Sequence, residues 1–231
     1  MAVITFAHRG ARSEYPDNTL KGFARAIDLG ASGLETDARL SADGEVVLAH
    51  DATIGTGLRR IRVSEHSAES LAQLQVPRLA DLYAAQDSDF ACSIDCQVPE
   101  AALPIIEVAR AARAADRLWL CSPDLDLLAG LRSAAPEIKL VHSPGREAPP
   151  AATMERHASQ LSRLGIDAMN MHHRAWTGGL VSLYHRFGLN VFAWDAQEIR
   201  QLKAMLRIGI DAVYCDNVVR MVSTVKEWEG Q

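Results

Sequence analysis

The sequence predicts an α/β protein, a single-domain (β/α)8 TIM barrel over residues 1–231. Three observations lead there. Apolar runs of strand length alternate with stretches of helical periodicity along the chain. Four joints repeat one pattern: Leu29-Gly30-Ala31-Ser32-Gly33, Leu164-Gly165-Ile166-Asp167-Ala168, Phe187-Gly188-Leu189-Asn190-Val191 and Ile208-Gly209-Ile210-Asp211-Ala212. In each, a helix stops on glycine, an apolar residue packs back and a strand begins, which is the chemistry of short αβ loops. Third, roughly eight such units with right-handed crossovers fit a closed barrel near the small end of its size range. An open doubly wound sheet is the alternative, but the first turn after a strand lacks the G-x-G-x-x-G spacing of a dinucleotide site.

Residues 3–7 are rich in β-formers and read as a buried strand. Gly10 and Pro16 punctuate the loop that follows. Asn18 is placed to cap a helix carrying Leu20, Phe23, Ala24 and Ile27 at helical spacing, and Gly30 ends it. In strand 34–40, Glu35, Asp37 and Arg39 share one face, while Leu34, Thr36 and Ala38 share the other. Asp43-Gly44 signals a tight turn, and the extended segment 45–50 returns His50 towards the strand that bears the carboxylates. Gly55 and Gly57 suggest a mobile loop, and residues 79–85 a short helix. Strands follow at 90–95, 118–122, 138–142, 168–171, 190–194 and 212–215. Helices at 100–115, 124–134, 153–164, 177–187, 197–208 and 218–228 alternate with them.

The formal net charge of −5 comes with no basic block, which argues against a nucleic-acid partner. No run approaches the roughly 18 apolar residues of a membrane span, and the start of the chain lacks the basic region of a secretion signal. No integral membrane segment and a cytoplasmic location are therefore expected. Cys92, Cys96, Cys121 and Cys215 lack zinc-ligand spacing and read as reduced thiols in or near the core.

In a barrel, the C-terminal strand ends share one face, and catalytic residues collect there. That rule gathers His8, Glu35, Asp37, Asp95, Trp194 and Asp216, and the returning His50 joins them. Three converging carboxylates are costly without a cation. Oxygen ligands of this kind suit Mg²⁺, Ca²⁺ or Mn²⁺ rather than zinc. The competing interpretation is a structural network in which Glu35 and Asp37 pair with Arg9 and Arg39. Two histidines beside a cation suit acid–base work at neutral pH, and a neighbouring arginine suits an anionic phosphate. Residue chemistry alone thus reaches a metal-dependent barrel enzyme acting on phosphate.

The blocks His8-Arg9-Gly10, Pro16-Asp17-Asn18-Thr19, Glu35-Thr36-Asp37, Asp43-Gly44 and His50-Asp51, with Phe23, Ala26 and Gly30-Ala31 between them, resemble the glycerophosphodiester phosphodiesterase family. That family reads H-R-G, P-E-N-T, E-x-D, D-G and H-D in the same order. A weaker likeness continues through Pro77-Arg78-Leu79-Ala80-Asp81-Leu82, the strand ending Ala193-Trp194, where the family has W-T-V-N, and the segment Gly209–Asp216. The resemblance implies a TIM-barrel hydrolase that cleaves a small phosphodiester such as glycerophosphocholine to glycerol 3-phosphate and an alcohol. It implies His8 and His50 as the acid–base pair, His8 activating the attacking oxygen and His50 protonating the leaving alcohol. It makes Glu35, Asp37 and Asp95 ligands of one divalent cation, Mg²⁺ or Ca²⁺ with Mn²⁺ as a third choice, and Arg9, Gln97 and Trp194 substrate-binding residues. Two departures bear on this. Asp95-Cys96-Gln97 stands where the family has E-x-K, so a dipole replaces a full charge on the phosphate, and loss of such a donor commonly costs ~10²–10³ in rate. Arg39, His142 and His172 are the residues that compensate if they reach the mouth. Asp195-Ala196 also replaces the usual residues after Trp194. Asp95 keeps open a lyase reaction giving a cyclic phosphate, as in related sphingomyelinase D-type enzymes, and Gln97 keeps open a non-catalytic phosphodiester-binding barrel. The modest segment between His50 and Phe90 implies an open mouth.

Overall fold

A computed structural model describes residues 2–55, 60–86, 89–145 and 150–230. The chain forms β1 (Ile4–His8), α1 (Leu20–Asp28), β2 (Gly33–Leu40), β3 (Val46–Leu48), β4 (Thr53–Ile54), β5 (Ile61–Arg62), α2 (Ala68–Ala72) and α3 (Leu79–Ala85). It continues through β6 (Ala91–Cys96), α4 (Ala102–Ala111), β7 (Leu118–Ser122), α5 (Leu125–Ala134), β8 (Lys139–His142) and α6 (Met154–Arg163). The last elements are β9 (Ala168–His172), α7 (Gly178–Arg186), β10 (Asn190–Trp194), α8 (Ile199–Arg207), β11 (Ala212–Cys215) and α9 (Val218–Glu229).

The parallel strands run β1, β2, β6, β7, β8, β9, β10, β11, and β11 returns to pair with β1. The sheet therefore closes into the predicted barrel. β3 pairs antiparallel with the outer half of β2, Ala38 against Leu48, and carries the chain towards His50. Among the described residues no helix is long and apolar enough to cross a membrane. The loop expected around Gly55 and Gly57 is described only in part, because Gly57 lies outside the described residues.

Alternation along each strand decides what faces the barrel interior. Phe6, Cys121, Val141, Ala168, Phe192, Ala212 and Tyr214 fill it, and Phe6 stacks on Tyr214 with ring centroids 4.8 Å apart. The same parity puts His8, Glu35, Asp37, Asp95, Asn170, Trp194 and Asp216 on the inward set one step nearer the C-terminal ends. Gly33 makes the lower layer fit, since a Cβ there would lie 2.6 Å from the Phe6 ring. The opposite strand faces bury Leu34, Ala38, Ile94, Leu120, Leu140, Met169, Met171, Val191 and Val213 against the helices.

One expectation is corrected in the first loop. Thr19, not Asn18, caps α1, its hydroxyl accepting from the Gly22 amide at 3.3 Å. Asn18 sits in the left-handed region at φ +57 and its side chain turns inward to the sheet. Gly10, at φ +84, packs against the backbone of Gly22, where a Cβ would come within 2.8 Å. That approach draws the loop between Arg9 and Asn18 tightly over the end of β1.

Candidate active site

A cleft of about 440 Å³ opens at the C-terminal end of the barrel. His8, Arg9, Arg12, Glu35, His50 and Asp95 line one side, and Asn170, Trp194, Asp195 and Asp216 the rest. β2 and β6 are adjacent and in register, Asp37 beside Asp95, so three carboxylates converge. One oxygen from each of Glu35, Asp37 and Asp95 lies within 4.8 Å of the others. Glu35 and Asp37 are buried, at 4% and 1% exposure. Burial, then the charges of Asp37 and Asp95, pushes the Glu35 carboxyl well above its ordinary range. Burial, then Asp37, pushes Asp95 up to about 7. Without a counter-charge the cluster therefore retains protons near neutrality.

Asp37 is held from three sides. Asn18 Nδ2 donates to Oδ2 at 3.2 Å, Gln97 Nε2 donates to Oδ1 at 2.9 Å, and Arg9 Nε lies 3.0 Å from Oδ2. Asn18 also accepts from the Thr36 hydroxyl at 2.9 Å, which fixes its amide. A carboxylate offers about four lone-pair directions, so Asp37 keeps one on Oδ1 for a cation. The Arg9 amide donates to Glu35 Oε2 at 2.9 Å, and the Arg9 backbone takes a left-handed φ of +57 to do so. Arg9 Nε is buried and makes no aligned hydrogen bond, so its link to Asp37 is an ion pair.

Both histidines are oriented by carboxylates. His8 Nδ1 lies 2.6 Å from Asp216 Oδ1, and His50 Nδ1 lies 2.7 Å from Asp51 Oδ1. Burial opposes ionisation of Asp216, but the His8 hydrogen bond and the charges of His8 and Arg12 outweigh it and lower its pKa. An ionised Asp216 accepts, so the His8 proton sits on Nδ1 and the Nε2 lone pair faces the cleft. Nε2 is 3.8 Å from Glu35 Oε2. Asp51, held below the usual carboxylate range by its hydrogen bond to His50, likewise fixes His50 Nδ1 as a donor.

A family model described as the glycerophosphoryl diester phosphodiesterase family matches residues 8–220. The chain belongs to this family. With it, the chain belongs to the phosphoric diester hydrolases. A glycerophosphodiester phosphodiesterase of Caldanaerobacter subterraneus subsp. tengcongensis is 23% identical over 249 residues, covering 98% of this chain and 99% of its own. The crystal structure of the glycerophosphodiester phosphodiesterase of Thermotoga maritima superposes with a TM-score of 0.84 at 24% identity, over 96% of this chain and 98% of that one. A phosphodiesterase of Oleispira antarctica, solved with its product sn-glycerol-3-phosphate, superposes at 0.82 with 22% identity over 96% of each chain.

Within this family fold, eight of the nine residues placed at the site from sequence reach the mouth or its acidic floor. Gln97 departs from the expectation. It is not among the residues lining the cleft, and its amide is spent on Asp37. The compensating candidates also lie elsewhere. Arg39 donates from Nε and Nη2 to the His50 carbonyl at 3.0 and 2.8 Å, so it fixes the loop rather than pairing with Glu35 or Asp37. His142 is buried, bonded to the Pro123 carbonyl and to His157. His172 is not among the residues lining the cleft and lies 3.1 Å from Asp195. Arg12 lines the cleft and was not singled out from sequence; it reaches Asp17 at 3.0 Å and Asp216 at 3.4 Å. Its position depends on how the 9–18 loop folds back, which no periodicity encodes. Asn170 was missed too, although its inward parity on β9 is readable.

Proposed function

We propose that this protein hydrolyses glycerophosphodiesters to glycerol 3-phosphate and an alcohol at a site completed by one divalent cation. The observation that carries this reading is the carboxylate trio, two of them buried, facing two imidazoles, each held by a carboxylate. Glu35, Asp37 and Asp95 would hold the cation. The donors are all oxygens, their empty cluster favours protons, and Asp37 keeps a free lone pair, so the residues fit Mg²⁺, Ca²⁺ or Mn²⁺. When bound, such an ion draws charge from the phosphoryl oxygens.

His8 acts as the base. Its Nε2 takes a proton from the attacking water as the water oxygen bonds to phosphorus, while Asp216 stabilises the imidazolium from Nδ1. His50 acts as the acid. Its imidazolium delivers a proton to the departing alcohol oxygen as that P–O bond breaks, and Asp51 keeps it oriented. Arg9 and Arg12, which line the cleft, offer guanidinium N–H groups to the phosphate oxygens. Trp194 supports the substrate from the opposite wall.

The test is a panel of glycerophosphodiesters assayed with each divalent ion and with a chelator. Release of glycerol 3-phosphate that requires the ion and disappears in His50→Ala is the expected result. Activity that survives both the chelator and the loss of either histidine would sink the proposal. A substrate hydroxyl taking the place of water would give a cyclic phosphate instead, a reading that Asp95 favours and that phosphorus NMR of the product resolves.

A further inference from the structure

The wall of the cleft opposite the carboxylates carries groups that hydrolysis does not use. Counting round the barrel from β1, the cation carboxylates stand on the second and third strands, β2 and β6. β9 and β10 are the sixth and seventh, so they face the carboxylates across the mouth. Asn170 sits on β9 one inward layer below His172, and His172 is level with Trp194 on β10. Asn170 is 5% exposed, lines the cleft and has a side-chain oxygen with no partner. Asp195 follows Trp194 on the rim. It adopts φ +62, a conformation aspartate tolerates better than most residues, and its side chain is 49% exposed.

Asp195 is engaged by an imidazole and an amide. Oδ2 lies 3.1 Å from His172 Nε2, and Oδ1 accepts from the Gln197 amide at 3.3 Å. Among the described residues no lysine or arginine is paired with it. His172 Nδ1 accepts the Arg174 backbone N–H at 3.2 Å, so the His172 proton is on Nε2 and the ring donates to Asp195 as a neutral group. The same tautomer weighs against a metal at His172, His173 and Asp195, although their donor atoms lie within 4.8 Å of one another. The His172 nitrogen nearest Asp195 carries hydrogen, not a lone pair. What remains at the rim is a half-exposed carboxylate beside an indole. His172 packs edge-on against that indole, with centroids 4.6 Å apart at 85°. Carboxylate and indole together receive an organic ammonium, by charge and by the ring quadrupole.

We propose that Asp195, with Trp194 beside it, is a specificity-determining residue that selects diesters whose leaving alcohol is positively charged, a primary or quaternary ammonium alcohol. The proposal rests on the phosphodiesterase reading above. With phosphate between the cation carboxylates and the two arginines, both ester arms extend towards the far wall, one deep and one at the rim. The hydroxyl-bearing glycerol arm meets the unpaired Asn170 oxygen at depth. The variable alcohol meets the open rim, where a neutral or anionic group gains nothing from Asp195 and an ammonium gains a counter-charge.

The experiment compares glycerophosphocholine with its 3,3-dimethylbutyl isostere, in which carbon replaces nitrogen, on the ion-loaded wild-type protein and on Asp195→Asn. Asparagine keeps the shape and tolerates the same backbone conformation. Wild type is expected to favour the choline ester in kcat/KM by about tenfold, and Asp195→Asn to bring the ratio towards one, mainly through KM. No preference in wild type overturns the proposal. An equal loss for both esters in Asp195→Asn overturns it as well, because Asp195 would then grip the shared glycerol arm. Calorimetric binding of both esters to His50→Ala gives a second readout that needs no turnover. If wild type cleaves neither ester, the phosphodiesterase reading fails, and equal affinities for the two esters overturn the selection separately.

Discussion

His8 and His50 each give Nδ1 to a carboxylate and turn Nε2 to the cleft, an arrangement that fixes tautomer and ring plane before any substrate arrives. Replacing either by alanine is expected to lower kcat ~10²–10⁴-fold, as for removal of a general acid or base, with circular dichroism and thermal midpoint close to wild type. Asp216→Asn tests the orienting role: kcat is expected to fall by roughly tenfold or more, since Asp216 holds the His8 ring through Nδ1. Gln97 acts at one remove from the phosphate. Its amide holds Asp37, a proposed cation ligand, and loss of such a partner typically weakens metal affinity ~10–100-fold. Gln97→Ala should therefore lower Mg²⁺ or Ca²⁺ affinity by titration calorimetry, an effect that a purely phosphate-binding glutamine would not produce.

Individual elements set the site by close approach. β2 begins with Gly33 because Phe6 on β1 occupies the space a side chain would need. Gly33→Ala overpacks the barrel floor and should cost about 1–3 kcal/mol in denaturant unfolding, through steric crowding alone. β8, α6 and α7 are joined by a chain of hydrogen bonds. Tyr184 OH meets His157 Nδ1 at 2.8 Å, His157 Nε2 meets His142 Nδ1 at 3.2 Å, and His142 Nε2 meets the Pro123 carbonyl at 3.2 Å. The carbonyl only accepts, so His142 carries a proton on Nε2, while the Tyr184 hydroxyl reaches both His157 Nδ1 and Met154 Sδ. Burial, then His157, depresses His142 to about 4. A histidine depressed in the folded state contributes stability above its unfolded value near 6.5, and that contribution is lost as pH falls towards 4. Thermal melts of wild type and His142→Asn between pH 7 and pH 4.5 should show a smaller acid-induced drop in the variant.

At the scale of the whole molecule, barrel closure forces three carboxylates together that the unfolded chain keeps apart. Glu35 and Asp95 are raised in the fold, so the folded protein binds more protons than the unfolded chain. Stability without a cation therefore falls as pH rises from the ordinary carboxylate range near 4 through about 7 for Asp95. A divalent cation replaces those protons, and its stabilisation should grow over the same interval. The rise in thermal midpoint on adding Mg²⁺ or Ca²⁺ to chelated protein is expected to increase from pH 5 to pH 8. A shift independent of pH would place the cation away from this cluster.

The sequence by itself determined the barrel, because the glycine-ended joints and the alternation of strand and helix periods are local signals. It also determined the strand-end residues His8, Glu35, Asp37 and Asp95, since parity along a strand decides which side chains face inward. What it could not decide were contacts made by loops folding back. The displacement of Asn18 from cap to carboxylate clamp depends on Gly10 meeting Gly22. The diversion of Gln97 to Asp37 depends on the pairing of β2 with β6. Asp216, which joins His8 across 208 positions, and Asp195, which stands opposite the cation carboxylates, depend on the closure of β11 onto β1. Hydrogen bonds between distant residues carry no periodicity, so only the closed tertiary structure could assign these partners.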